Sequence, residues 1–229
     1  MTKVAVIKFP GTNCDEDVYH VLKNVVGLNA EIVWYREYRR GAYDAAVIPG
    51  GFSYGDWLRA GAIAARSNAI EEIVDDISNG MPVLGICNGF QILVEAGILP
   101  GALLLNDTGK FVCRWVKLVV ENPKGPWLAL AKDGDILDMP VAHGEGRYFI
   151  DEESYHMLLG RASFLRYLKG WNPNGSLYDI AGISSEDHLV LGLMPHPERA
   201  SEDVLAPRGF RASGRVVFES LAYSLKKGW

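Results

Sequence analysis

With 229 residues, 48% of them hydrophobic, the chain can bury a full core as one unit. Charged residues make up 22% and the net charge is −5, and no basic run could neutralise several phosphates, which excludes nucleic acid as the main ligand. The apolar runs are strand-length, Met1-Thr2-Lys3 leads into a strand pattern rather than a signal peptide, and three cysteines (Cys14, Cys87, Cys113) neither all pair nor show metal spacing, so a reducing, cytoplasmic setting is expected.

In chain order, residues 3–9 form an apolar strand broken by Pro10-Gly11-Thr12-Asn13. Asp15, Glu16 and Asp17 then place acids at a helix start, where they complement the dipole. That helix runs to about Val26 with Val18, Leu22, Val25 and Val26 on one face, and Gly27 closes it. Residues 30–35 are a second strand, and residues 44–49 a third that ends in Gly50-Gly51. A long helical stretch, rich in Ala and Ile, is expected over 60–79, with Glu71, Glu72, Asp75 and Asp76 on its solvated face. Gly80 caps it. Residues 83–86 are the fourth strand, and a helix opens at Asn88.

Beyond Gly97 the pattern changes. A long β-type run covers 111–120, and shorter β-type segments follow to about Ser185, with one helical stretch over 152–159. The last apolar strand is 189–194, and a closing helix spans 213–226 with Val216, Val217, Leu221 and Leu225 apolar. Strands alternating with helices imply a doubly wound α/β fold: a mainly parallel, flavodoxin-like sheet with helices on both faces and a small antiparallel β addition.

Gly85-Ile86-Cys87-Asn88-Gly89 has the glycine-x-nucleophile-x-glycine spacing of a sharp strand-to-helix turn. The turn strains the backbone at the nucleophile, and the helix start favours the thiolate. Ligands of such sheets bind beyond the carboxyl ends of the strands, where Gly50-Gly51 and Cys87 both fall. The loop Gly51-Phe52-Ser53-Tyr54-Gly55-Asp56 lacks the Gly-Lys-Ser/Thr ending of a phosphate loop. It is a tight turn, or a set of N–H groups facing an oxyanion beside Cys87, and its place in the fold favours the second reading.

Of five histidines, His20 and His156 fall in helical patterns and His188 in a turn. His196 ends the last strand, fixed between Pro195 and Pro197, and Glu198 can orient its imidazole. Alone, Pro-His-Pro-Glu reads as a rigid surface turn; paired with Cys87 it reads as base and orienter in a Cys-His-Glu triad. Cys14, at a helix start, has no evident partner, and Cys113 reads as a small buried hydrophobe. The stretch from Ala142 to Tyr148 is either a plain hairpin loop or a presenter of backbone groups and His143 to a polar substrate.

Gly85-Ile86-Cys87-Asn88-Gly89-Phe90-Gln91 with the late Pro195-His196-Pro197-Glu198 resembles the class I (triad) glutamine amidotransferases over essentially the whole chain, taken as one domain, 1–229. Residues 9–15, 50–63 and 194–199 narrow the resemblance to the branch that serves purine biosynthesis, with 50–63 the discriminating stretch. The resemblance implies hydrolysis of glutamine through a thioester on Cys87, with the N–H groups of Gly51 and Asn88 as oxyanion hole. It further implies contacts to glutamine from Phe52, Gln91, His143, Gly144 and Glu145. No cofactor or metal is implied in this chain. ATP and magnesium belong to a separate synthetase subunit that receives the ammonia, with a small third subunit bridging the two. The rival expectations are a class I glutaminase of another pathway, a cysteine hydrolase of the DJ-1/PfpI type, and a non-catalytic binding subunit.

Overall fold

The computed structural model describes residues 2–229. Buried aliphatic runs lay down the first strands: β1 (Lys3–Lys8), β2 (Asn29–Trp34), β3 (Ala45–Ile48) and β4 (Val83–Ile86). β3 and β4 are buried along their whole length, as strands covered on both faces must be. The helices are α1 (Asp15–His20, which continues as a wider turn over Val21–Val25), α2 (Asn68–Ser78), α3 (Asn88–Glu95), α4 (Glu152–Leu158) and α5 (Arg215–Lys227). The later strands are β5 (Ala102–Leu104), β6 (Val112–Glu121), β7 (Ile136–His143), β8 (Arg147–Phe149), β9 (Phe164–Tyr167), β10 (Ile180–Ser184) and β11 (Val190–Leu193).

Nine strands form one sheet in the order β2-β1-β3-β4-β11-β10-β9-β6-β7. From β2 to β11 neighbours run parallel, in the flavodoxin-like order 2-1-3-4. The antiparallel strands β10, β9, β6 and β7 continue the same sheet, while β5 and β8 pair separately as a small antiparallel ribbon. Register places the carboxyl ends together. Ile48 is level with Gly85, and Ile86 is level with Leu193. The residues that follow β3, β4 and β11 therefore emerge side by side at one edge of the sheet.

Three local expectations are corrected. The 60–79 stretch is not one helix: Gly61 takes a left-handed φ of +82°, where a Cβ would meet the backbone of Ile92 at 2.8 Å, and Ser67 is extended, so α2 starts only at Asn68. Asp76 is not solvated. It is buried on α2 beside Ile73 and accepts hydrogen bonds from Tyr38 Oη (2.6 Å) and the Gly41 N–H (2.9 Å). Cys113 is exposed, because the first half of β6 extends past its partner β9, which pairs only from Leu118 onward. Among the described residues no helix is long and apolar enough to cross a membrane.

Candidate active site

Cys87 sits where β4 turns into α3, with φ 51° and ψ −104°. A non-glycine residue in that region is strained, and it is held there by both flanks. The Cys87 N–H donates to Leu193 O at 2.8 Å, and Gln91 N–H donates back to Cys87 O at 3.1 Å. Gly89 lies so close to β3 that a Cβ would stand 1.9 Å from Ile48 O, and a Cβ on Gly85 would stand 2.7 Å from the Gly89 carbonyl. The glycine spacing is thus demanded by backbone approach, and the sulfur projects from the sheet edge at a helix N-terminus. Cys87 is buried, with its thiol 3.7 Å from Ala142 O on β7.

His196 follows β11 by three residues. Its N–H donates to Pro140 O at 2.8 Å, and its Nδ1 lies 2.6 Å from Glu198 Oε1, with both side chains buried. Burial works against the imidazolium, but the Glu198 carboxylate and then the Cys87 sulfur outweigh it and hold the proton affinity well above the ordinary value. With Nδ1 engaged by Glu198, the free ring atom is Nε2, which is buried and has no hydrogen-bond partner among the described residues. The ring packs on Gly50, where a Cβ would come 2.7 Å from Cε1.

The Gly50 loop pairs with the turn after β1. Phe52 N–H donates to Gly11 O (2.9 Å) and Asn13 N–H to Gly50 O (3.3 Å), on either side of the Thr12–Gly51 bridge. That pairing leaves the Gly51 N–H unused. The Asn88 N–H, first in α3, is likewise free of a backbone acceptor among the described residues. These are the two donors expected at an oxyanion hole.

Gln91 lines the cleft, but both of its amide atoms are engaged: Nε2 donates to Glu145 O (2.6 Å) and Oε1 accepts from Asn88 Nδ2 (2.9 Å). Asn88 Oδ1 accepts in turn from Ser53 N–H at 3.1 Å. This chain of bonds ties three walls of the cleft together. His143 is buried, and Asn106 decides its tautomer. Asn106 Nδ2 donates to the Lys110 and His143 carbonyls, so its Oδ1 is the acceptor, and His143 Nδ1, 3.1 Å away, is the donor. Burial, and then the neighbouring His196, pushes His143 down to about 4. The ring is therefore neutral near pH 7, and its unpartnered Nε2 is an acceptor.

The cleft has two lobes that share Gly51, Phe52, Cys87, Phe111 and Ala142. One, of about 150 Å³, is bounded by Asp56, Gln91, His143, Gly144 and Glu145. The other, of about 160 Å³, is bounded by Asn13, Cys14, His196 and Arg199. A larger cavity, of about 510 Å³ beside Tyr35 and Arg66, shares no residue with these lobes. Eight of the ten site residues expected from the sequence line these lobes, and the other two, Asn88 and Glu198, are hydrogen-bonded to Gln91 and His196.

Several residues went unread in the sequence. Asp56 is held in the left-handed region, and burial followed by the Glu145 charge raises it to about 6. Asn106 fixes the 143–146 turn. Cys14 is not partnerless: its sulfur accepts from Arg199 Nη2 at 3.0 Å and stands 4.0 Å from His196 Nδ1. Asp56 at the end of a glycine loop was the one signal available. The Cys14 contacts join residues more than 180 positions apart and left none. His20 and His156 are exposed, and His188 closes a turn against Ser163 and Ser184.

A strained thiol beside a buried imidazole–carboxylate pair, at the strand ends of a doubly wound sheet, is the arrangement of a thiol-dependent acyl-transfer enzyme. The family model described as "CobB/CobQ-like glutamine amidotransferase domain" matches residues 1–216. The chain belongs to that family and is a glutamine amidotransferase, and within the family it stands with the phosphoribosylformylglycinamidine synthase subunits named PurQ. The PurQ proteins of Methanosarcina mazei and Methanosarcina acetivorans are 51% and 50% identical to it, over 96% of this chain and 97% of each of theirs. In the solved structure of PurLQS from Thermotoga maritima, one chain is 42% identical, with a TM-score of 0.85, 98% of this chain covered and 99% of that one. A chain from Thermoplasma acidophilum, 15% identical with a TM-score of 0.58, shares the fold alone.

Proposed function

We propose that this chain, acting as one domain, is the glutaminase of a phosphoribosylformylglycinamidine synthase. It releases ammonia from glutamine for an ATP-dependent synthetase that converts formylglycinamide ribonucleotide to the amidine in purine biosynthesis. The observation that carries the reading is the buried His196–Glu198 pair at the cleft that Cys87 floors. The proposed cycle uses atoms already in place. Cys87 sulfur attacks the side-chain amide carbon of glutamine, and the N–H groups of Gly51 and Asn88 take the oxyanion. Losing one such donor costs about 10²–10³-fold in rate. His196 Nε2 delivers the proton to the departing ammonia, leaving a γ-glutamyl thioester on Cys87. It then takes a proton from water, whose attack frees glutamate and restores the thiol.

The lobe beyond Gln91 suits the amino-acid end of the substrate. Asp56, Glu145 and the acceptor Nε2 of His143 all offer lone pairs there, a set that matches an ammonium group. Phe52, Gly144 and the backbone of the 143–146 turn complete its walls. Gln91 serves this lobe as the strut between Asn88 and Glu145.

Free ammonia becomes ammonium in neutral water and loses its nucleophilicity, so the product must pass directly to a partner. The partners on this reading are a PurL-type synthetase, which uses ATP and magnesium, and a small PurS-type subunit, all in the cytoplasm. An apolar rim supports docking at the cleft mouth: Trp57, Leu58, Leu105 and Phe111 are all exposed there or on the adjoining loop, Leu58 at 91%. The test is glutamine-dependent against ammonia-dependent synthesis in the reconstituted complex. Cys87→Ala should abolish the first and spare the second, and the isolated chain should hydrolyse glutamine poorly. Unchanged glutamine-dependent synthesis by Cys87→Ala overturns the reading.

A further inference from the structure

Cys14 lies in the turn after β1, at the residue that precedes α1. Its sulfur is buried at the centre of a small polar junction. The thiol donates to Asn13 Oδ1 at 3.2 Å and accepts from Arg199 Nη2 at 3.0 Å. Gly50 sets its distance from the imidazole: a Cβ there would stand 2.7 Å from His196 Cε1 and 3.1 Å from Cys14 Sγ. His196 Nδ1 thus has Glu198 Oε1 2.6 Å away and the Cys14 sulfur 4.0 Å away, with Gly50 packed close to Cε1. Cys14, His196 and Glu198 offer donor atoms within 4.8 Å of one another, yet the 2.6 Å Nδ1–Oε1 hydrogen bond already uses the imidazole nitrogen that an ion would need.

Arg199 places a cation beside this pair, and little else holds it. Its Nε is 3.8 Å from Glu198 Oε1 and 3.9 Å from Asp17 Oδ2, both beyond hydrogen-bond reach, and its side chain is 38% exposed. The bond to Cys14 is the one hydrogen bond the guanidinium makes among the described residues. Without it, a half-exposed arginine gains entropy and solvation by swinging outward. Glu198 would then lose a neighbouring positive charge, and the space behind the imidazole would open.

We propose that Cys14 is a positioning residue for glutamine hydrolysis: its sulfur anchors Arg199 beside Glu198 and keeps the His196 ring turned toward that carboxylate. This rests on the triad reading above. On this proposal Cys14 acts on the reaction through Arg199 and His196.

Steady-state glutamine hydrolysis by the chain reconstituted with its synthetase partners tests the idea, with Cys87→Ala run beside it. Cys14→Ala should lower kcat roughly 10- to 100-fold, as small misplacements of catalytic groups do. KM should stay within about twofold, because the loss falls on the transition state. Cys14→Ser should recover most of the rate, since a hydroxyl also donates to Asn13 and accepts from Arg199. Arg199→Gln removes the contact from its exposed end and carries the same expectation as Cys14→Ala, so a folding failure of the latter leaves the test intact. Where both single variants fold, the double variant should be no slower than either one. Wild-type kcat in Cys14→Ala or Arg199→Gln overturns the proposal, as do equal losses in the alanine and serine variants or losses that multiply in the double variant. Activity surviving in Cys87→Ala would overturn the triad reading itself.

Discussion

The His196 ring packs so close to Gly50 that a methyl group on that glycine would stand 2.7 Å from Cε1. Two strand ends, those of β3 and β11, thereby fix one side chain: the glycine sets how deep the imidazole sits, and Glu198 sets how it turns. Gly50→Ala should displace the ring and lower kcat by about 10²-fold or more, with glutamine KM little changed. Steady-state kinetics check this, and wild-type turnover would show that the ring has room to spare.

Glu198→Gln keeps the shape of the side chain and removes its charge. The bond to Nδ1 persists, but the amide can present the wrong atom to the ring, and kcat should fall by roughly 10²–10⁴-fold. The negative charge of Glu198 also helps hold a proton on His196. The alkaline limb of the pH–rate profile should therefore move to lower pH in the variant. A limb that stays in place would separate Glu198 from the titration.

Asp56 carries a cost that its proposed role explains. Its pKa is raised from 3.8 to about 6, chiefly by burial and then by Glu145. A group whose folded pKa exceeds its unfolded value adds stability when protonated and loses that contribution as pH rises through the folded pKa. Asp56→Asn should thus raise the melting temperature at pH 7.5, with a smaller gain at pH 5 and almost none near pH 4. The same variant should raise glutamine KM, since a neutral amide holds the substrate ammonium less well. A melting curve at each pH and a substrate titration read both effects.

Gly89→Ala places a Cβ 1.9 Å from Ile48 O and 2.7 Å from its carbonyl carbon. Backbone on both sides leaves nothing to rotate away, so α3 must separate from β3. A loss of about 2–3 kcal/mol in denaturant unfolding is expected, with glutaminase activity lost even where the variant folds.

What could be read in advance divides by distance along the chain. The Cys87 turn, the Pro-His-Pro-Glu segment and the glycines after β3 were legible because each is a local pattern with a local cause. The parallel half of the sheet followed from alternation, and it alone brought Gly51, Cys87 and His196 to one edge. Long-range facts were not legible. Asp76 looks solvated on its helix until Tyr38 and Gly41 arrive from another loop to bury and bind it. Cys113 looks buried until the sheet proves to leave the start of β6 uncovered on one side. Cys14 gains its partners from Arg199 and His196, and no spacing near residue 14 announces them. The 60–79 stretch has helical composition throughout, and the close approach of Gly61 to Ile92 with the extended Ser67 keeps residues 60–67 out of the helix.

The chain's three free cysteines permit one direct test of the central claim, that Cys87 alone is the nucleophile toward glutamine. The intact enzyme would be treated with an electrophilic glutamine analogue, with and without competing glutamine, and the labelled residues identified by peptide mapping. The label should fall on Cys87, be suppressed by glutamine, and spare both the buried Cys14 and the exposed Cys113. Glutamine-protected labelling of Cys14 or Cys113, with Cys87 left free, would contradict the account.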